Sequence, residues 1–463
     1  MVFFILSPFT GQQTEAGRQS GFRGALMPDD VVVSMETPPD IALARALTLA
    51  AEALAVRQGL GRRENLRFQL TVEEFFCCLV QIADAAHPIH TVLTGKRHLM
   101  RVSFGFAAST LSLGALNATA VTTIDADSEL PRDMGLLLAA KVADRFHLAH
   151  KDQTNFVLEA EVDKVYPPAP LCSPTPAFRP PYRAAPCRDP GQLTHAAGLA
   201  AAAYPAWNCP VALLTPGKFA DMVEDGDASD VVAFDAAGQV AGLLCWSPSG
   251  AKGLHFSGPF VFTPPADAGL VARLLTDRFL EVVARQGRDI VFSPHATPDT
   301  PPGYFESLGS LELVRQDGRF QQDVLYRHLR EDAGTAVWSH AALTDFLRTA
   351  YDRLSMCRDI LPAEPPEVRE SRPSLLSANL DRGKNLAELR PLLDGKDMPE
   401  NLAGHVQALE AKGFGNILFY MNLSQAWEAA LAGDLLSAGF VPRLVLPHGG
   451  RGDVAVFQYA PAY

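Results

Sequence analysis

The stretch from Tyr166 to Pro190, YPPAPLCSPTPAFRPPYRAAPCRDP, carries nine prolines. Proline fixes φ and offers no backbone N–H, so such a run cannot continue a helix or fill the middle of a sheet. It reads as an extended, semi-rigid linker across residues 166–190. It divides the 463-residue chain into a front part and a longer rear part. Residues 1–30, polar after a short apolar start, read as a loose tail, and 31–165 as one domain. Behind the linker, 191–330 and 331–463 each carry an alternation of helical and strand patterns.

Charge narrows the function. The formal net charge is −12, and such a surface repels phosphate backbones, so nucleic acid is excluded as a partner. No run of about 20 apolar residues exists to span a membrane. MVFFILSPF lacks a basic n-region and fails as a signal peptide, so a cytoplasmic protein is expected. Seven cysteines are scattered with no C-x-x-C pair, which reads as free thiols in a reducing compartment. The H-x-x-H pairs His87/His90 and His147/His150 have no further ligand at zinc spacing, so no metal is expected.

In the rear part, two apolar runs at 231–235 and 240–246 flank a glycine-containing turn and read as a hairpin. Residues 267–287 form an amphipathic helix ended by Gly287. GYFESLG reads as a short helix before a closing hairpin. A similar ending recurs: Asp323-Val324 follows Gly309, and Asp453-Val454 follows Gly439, at the same 14-residue spacing. In each, the glycine is read as ending a helix and the Asp-Val as opening the last strand, an internal repeat. The RGD at 451–453 falls in the last turn and reads as turn chemistry.

In the front part, QLTVEEFFCCLVQIAD (69–84) admits two readings. Thr71-x-x-Glu74 fits a capping box ahead of an apolar face of Phe75, Phe76, Leu79, Ile82 and Ala83. The wider context, VVVSM, a long helix, this segment and then IDADSELPRDMGLLLAAKVADRF, resembles the GHKL (histidine-kinase-like) ATPase domain of the anti-sigma-factor serine-kinase type. That resemblance implies an α/β sandwich. It places Glu74 at the N-box glutamate, and Cys78 where the family has its Mg²⁺-ligating asparagine. A thiol is too soft for Mg²⁺. Asp125 matches the aspartate that reads adenine, and Gly135 the second glycine of the phosphate-side loop. Asp127 and Asp133 stand where glycines are required and would repel phosphate. ATP or ADP binding is therefore expected to be weak and independent of Mg²⁺.

Residues 191–330 resemble a GNAT N-acyltransferase domain. The likeness is carried by DPGQLTHAAGLAAAAYP, the VVAFDAAGQVAGLLCW hairpin, FVFTPPADAGLVARLLTDRFLEVV and DIVFSPHA followed by PPGYFESLGSLEL. It implies an acetyl-CoA or CoA site at Phe262, Gly269 and Leu270. Of the family's R/Q-x-x-G-x-G/A loop only Gly269 survives; Ala266, Asp267 and Val271 fill the other positions. Asp267 also reads as the N-cap of the following helix. Tyr304 and Glu306 are the candidate general acid and base, with Tyr304 one residue out of step with the family's tyrosine. Residues 331–463 resemble a second GNAT-type half. The expected fold class is thus α/β (α+β), a GHKL-type sandwich followed by two GNAT-like units with mixed sheets. The expected function is a regulatory or signalling protein that binds a protein partner or an adenine-containing metabolite. The alternatives are an acyl-CoA-dependent N-acetyltransferase with a nucleotide-sensing front domain and, third, an anti-sigma serine kinase.

Overall fold

The computed structural model describes residues 31–460 except 110–112, 114–115, 118–137, 140, 151–153, 168–176, 316–317 and 368. The chain forms two compact units, Met1–Val165 and Tyr166–Tyr463.

The front unit is a five-stranded sheet with two helices. Its strands are β1 (Val31–Thr37), β2 (Ile89–Gly95), β3 (Leu99–Ala107), β4 (Arg145–His150) and β5 (Asn155–Asp163). They lie in the order β1-β2-β3-β5-β4, every neighbour antiparallel. Alternation along β3 and β5 sends Val102, Phe104, Leu158 and Ala160 into the core, as expected of a sheet covered on one face. The other face carries a charge lattice: Arg101 and Arg145 both grip Glu161, and Arg145 also grips Asp163. The helices are α1 (Ala44–Arg57) and α2 (Arg62–Ile82). On α2, Phe68, Val72, Phe75, Phe76 and Leu79 are buried.

The capping box fails. Helix α2 starts at Arg62 behind Gly61, because RRENLRFQ is itself a run dominated by helix formers. Thr71 is therefore mid-helix and fully buried, and its hydroxyl donates to the Arg67 carbonyl one turn back (2.9 Å).

The rear unit holds two sheets of matching plan. The first consists of β6 (Arg183–Ala185), β7 (Ser229–Phe234), β8 (Val240–Ser249), β9 (Gly253–Val261), β10 (Ile290–Ala296), β11 (Glu306–Arg315) and β12 (Gly318–His328). Its order is β11-β12-β10-β9-β8-β7-β6, with β9 and β10 parallel. Strand β6 lies within the proline-rich stretch, at the sheet's edge, where a proline-flanked segment can pair on one side. Helices α3 (Pro190–Ala203) and α4 (Pro216–Glu224) precede β7, and α5 (Pro265–Val283) joins β9 to β10.

A two-stranded parallel pair follows, β13 (Thr335–Ser339) and β14 (Arg358–Pro362), with α6 (Thr344–Arg353) between them. The second sheet contains β15 (Leu375–Asp381), β16 (Leu386–Leu393), β17 (Asn416–Asn422), β18 (Phe440–Leu446) and β19 (Val454–Tyr459), in the order β15-β16-β17-β19-β18. Helix α7 (Met398–Ala411) joins β16 to β17, and α8 (Ala426–Ala430) and α9 (Ala432–Ser437) precede β18. Strand order and sense match those of β8-β9-β10-β12-β11: antiparallel, parallel, antiparallel, antiparallel. The protein is thus α/β with mixed sheets.

The repeat is one of topology, and only half of its sequence marker holds. Gly439 does follow a helix and Asp453-Val454 does open β19. Gly309 instead sits inside β11 at a bulge, with φ of 140°, and Asp323-Val324 lies within β12. GYFESLG is not a helix either. Pro301 and Pro302 lack N–H donors and Gly303 adopts positive φ, so the chain turns and enters β11 at Glu306.

Side-chain amides join the two sheets. Strand β11 is an edge, and edges expose unpaired peptide groups. Here Asn416 accepts the Val314 N–H (2.7 Å) and returns a bond to the Val314 carbonyl (2.9 Å). Gln458 does the same for Glu312, accepting its N–H at 3.1 Å and donating to its carbonyl. One apolar cluster runs from Ile290 and Phe292 through Leu308 and Leu347 to Phe419 and Phe457, so the two sheets share a core.

Candidate functional site

Parallel neighbours with a crossover helix leave a gap where their C-terminal ends part, and ligands of open α/β sheets bind at such ends. Each of the two large sheets of the rear unit has such a pair.

In the first, β10 pairs with β9 as far as Ala296↔Gly258, with a register shift between Phe292 and His295. Beyond it β9 runs on to Val261, and its peptide edge is closed by side chains. The Tyr204 hydroxyl accepts the Val261 N–H (2.6 Å) and is held by Asp299. Its ring stands edge-on to Phe260 at 5.1 Å. Thr297 donates to the Pro259 carbonyl, and Asn208 to the Ala296 carbonyl (2.7 Å). Burial, and then the hydrogen bond to Asp299, push the Tyr204 phenol well above its usual pKa. A neutral phenol is thus fixed in the gap.

The start of α5 offers little to a phosphate. Three residues separate β9 from the helix. Pro264 is the N-cap and Pro265 the first helical residue, so two amide donors are missing. The Asp267 and Ala268 N–H groups both turn back to the Pro264 carbonyl (3.0 and 3.1 Å). Asp267 is not the N-cap; it lies in the first turn and accepts the Tyr182 hydroxyl (2.7 Å). Burial and that bond push the Tyr182 phenol up to about 12.

The residues expected to hold acyl-CoA are dispersed. Phe262 is a core side chain, and its N–H is spent on the Ala241 carbonyl (2.9 Å). Leu270 is half exposed on α5. Gly269 is helical, and a Cβ built there meets nothing nearer than Arg273 at 3.9 Å. Gly269→Ala is therefore expected to raise stability by up to about 1 kcal/mol in urea denaturation, the ordinary helical gain of alanine over glycine. A loss would mean that backbone freedom is needed there. Tyr304 donates to Asp277 on α5 (2.7 Å), while the exposed Glu306 accepts the Tyr326 hydroxyl (3.1 Å), so the two side chains engage different neighbours.

The second gap holds a polar cluster. Strands β16 and β17 pair from Leu386↔Asn416 to Leu389↔Phe419, then run on without pairing to Leu393 and Asn422. The Tyr420 hydroxyl donates to Glu388 (2.9 Å), whose other oxygen accepts from Asn379 (3.1 Å). The Arg390 guanidinium lies 4.4 Å from the Tyr420 ring centroid. Glu428 on α8 accepts the Asn422 N–H (2.9 Å). Burial pushes the Glu428 carboxyl up to about 7, against the Asn422 N–H and the charges of Arg390 and Arg451. A carboxyl poised there can exchange a proton near neutral pH. The helix start beside this gap is also spent: Asp397 accepts the Ser374 N–H (2.6 Å), and the Lys396 N–H goes to Glu370 (3.0 Å). Sequence reasoning named none of Tyr204, Glu388, Tyr420 and Glu428. Each sits in an ordinary amphipathic or strand pattern, and its partner is remote in sequence or visible only once the strands part.

In the front unit, Glu74 and Cys78 lie one turn apart on α2, both half-buried. Burial, and then the neighbouring Glu73, raise the Glu74 carboxyl above its usual range. Asp125, Asp127, Asp133 and Gly135 lie outside the described residues. His87 pairs with Asp84 (3.2 Å), and His90 meets the Ser34 hydroxyl (3.3 Å). Among the described residues, no helix is long and apolar enough to cross a membrane.

No family model matches the chain, and no curated protein matches it. Solved structures resemble part of it. An aminoglycoside 6'-acetyltransferase type Ii is 14% identical, over 32% of this chain and 97% of its own, with a TM-score of 0.25. A GNAT family N-acetyltransferase from Escherichia coli in complex with CoA is 18% identical, over 34% and 86%, with a TM-score of 0.22. The aminoglycoside 6'-N-acetyltransferase from Enterococcus faecium is 12% identical, over 32% and 97%, with a TM-score of 0.24. At these values the likenesses assign no activity. Nothing in them supports an ATPase domain in the front unit.

Proposed function

We propose that this chain is a regulatory binding protein whose rear unit is a fused pair of acyltransferase-like modules without a working phosphate cradle. The start of α5 carries the reading. Two prolines and an aspartate stand where an acyl-CoA pyrophosphate would need free amides, and Tyr204 fills the gap beyond. The front unit is read as the sensing part, with at most a weak, Mg²⁺-independent site for ATP or ADP. A thiol at Cys78 supplies no Mg²⁺ ligand, so kinase activity is not proposed. The protein acts through a protein partner.

A second reading, acyl-CoA-dependent N-acetyl transfer, is favoured by the second gap, where Glu428, whose carboxyl burial pushes up, sits at the end of β17, the strand from which Tyr420 bonds Glu388. Thermal melts of the full chain with ATP, ADP, CoA and acetyl-CoA, with and without Mg²⁺, separate the two. A ligand at a hundredfold excess over its Kd adds ~2.7 kcal/mol of apparent stability. The regulatory reading expects no shift with CoA or acetyl-CoA. A clear shift with either overturns the loss of the phosphate cradle, and release of free CoA thiol from acetyl-CoA on adding an amine then establishes transfer; a Mg²⁺-dependent gain with ATP overturns the account of the front unit.

A further inference from the structure

Helix α1 buries Ala44, Leu47, Ala51, Leu54 and Ala55 against its own unit. Its opposite face mixes apolar and charged side chains. Leu49 is 55% exposed and Val56 63%, Ala53 is exposed beside them, and Ala42 is exposed on the 3-10 turn Ile41–Leu43 that leads into the helix. Together with Arg45 and Glu52 these residues mark positions 42, 45, 49, 52 and 56, the alternating three- and four-residue spacing of a helix–helix seam. Polar residues would suffice on a solvated helix face, so a stripe of this kind asks for a partner.

The stripe is self-complementary. A two-fold axis through Leu49, with the helices antiparallel, sets Leu49 against Leu49 of the partner subunit. It brings Arg45 beside Glu52 and Ala53 of the partner subunit, and Ala42 beside Val56 of the partner subunit. Each such contact occurs twice, as an isologous interface requires. Among the described residues, no hydrogen bond or ion pair engages the side chain of Arg45 or Glu52 within the chain, so both are free to pair across the axis. The alanines allow close approach. We infer that the exposed face of α1 is a homodimer interface, with a second copy of this chain as its occupant and the reciprocal Arg45–Glu52 pairs setting the antiparallel register.

One helix pair falls short of the ~1,600 Å² of a standard interface, so the dimer belongs to the weak class, with a Kd of roughly 10–100 µM. Sedimentation of the full chain from about 2 to about 200 µM brackets that value. Dimerisation is expected, weakened about tenfold or more by Arg45→Glu or Glu52→Arg alone and restored by the two together. Both substitutions lie on an exposed face, and circular dichroism checks that the fold is kept. In a second arm, Leu49→Cys in a Cys357→Ser background is expected to give a disulfide-linked dimer on mild oxidation where Cys357→Ser alone does not. A chain that stays monomeric throughout, or a dimer unmoved by the charge reversals and not trapped through position 49, overturns the inference.

Discussion

Arg358→Ala is expected to cost ~3–5 kcal/mol in the urea denaturation of the rear unit, the usual penalty for stripping one partner from a buried ion pair. The Arg358 guanidinium is wholly buried and reaches two carboxylates. It is bidentate to Asp332 (2.7 and 3.0 Å) and donates Nε to Asp453 (2.6 Å). The remaining lone pairs are met as well: Gly334 N–H donates to Asp332 (2.7 Å) and His448 N–H to Asp453 (2.9 Å). Burial opposes the charge of Asp332, yet Arg358 and these donors hold its carboxyl well below the usual range. Alanine at 358 would leave two buried carboxylates with the His448 ring, 3.3 Å from Asp332, as their remaining side-chain neighbour in the network. Lysine should rescue only part of the loss, because a point charge cannot serve both partners in the plane of the fork. Replacing Arg358, Asp332 and Asp453 together by apolar residues of similar volume should recover most of it. A cost under about 1 kcal/mol for Arg358→Ala would show that the network is spectator to stability.

The same network explains the RGD turn. Asp453 is fully buried and anchors that turn by accepting the His448 backbone N–H, so its place in the RGD is turn chemistry of a buried kind. Anchored in this way, the turn meets the turn between β8 and β9. Ser249 donates to the Gly449 carbonyl (3.2 Å), and a Cβ on Gly250 would come within 2.0 Å of the Gly450 carbonyl. Loss of Arg358 should therefore loosen a contact between the two sheets as well as the second sheet itself.

What could be read from the sequence was local. The period-2 alternation of β3 and β5 and the apolar face of α2 are legible because one buried face imposes its period on the residues. The turn at Pro301-Pro302-Gly303 was legible in principle: two missing donors and a positive φ outweigh the helical look of YFESLG. The start of α2 was not, since Thr71 followed by Glu74 satisfies a capping rule that the helix formers ahead of it make irrelevant. The topological repeat showed through Gly439 and Asp453, where a glycine and an acidic residue do the same jobs that the pattern suggests. It misled at Gly309, where the same residue serves a bulge. The features that decide the site are non-local. Tyr204 meets Val261 across 57 residues, Asn416 meets Val314 across 102, and no spacing rule in a single chain encodes either.

Asp230 should cost the fold stability as pH rises from about 4 to about 7, and Asp230→Asn should remove that cost; the buried imidazoles of His255 and His405, which burial holds neutral, slope the other way over the same window. Asp230 stands on β7 opposite Cys245, in an apolar cluster that includes Cys187, Cys209 and Cys245. It is only 4% exposed and its one hydrogen-bond donor is the Cys187 N–H (2.8 Å). Burial pushes the carboxyl from 3.8 up to about 7, the Cys187 N–H opposing it. The folded state therefore prefers the protonated acid. Its contribution is fully present below the unfolded value near 3.8, shrinks as pH climbs, and is gone above about 7. A shift of that size is worth ~4 kcal/mol, an upper figure because a buried site relaxes and admits water. Glu428 is raised in the same way and adds to the slope, whereas Asp332, held low, acts only in acid. Asparagine keeps an acceptor for the Cys187 N–H and carries no charge to desolvate. Urea denaturation at pH 5 and pH 8 is the measurement. The variant should gain stability relative to wild type between them and be the more stable protein at pH 8. Parallel lines for the two proteins would mean that Asp230 stays ionised in the fold, with water or a shifted side chain paying its solvation in place of the proton.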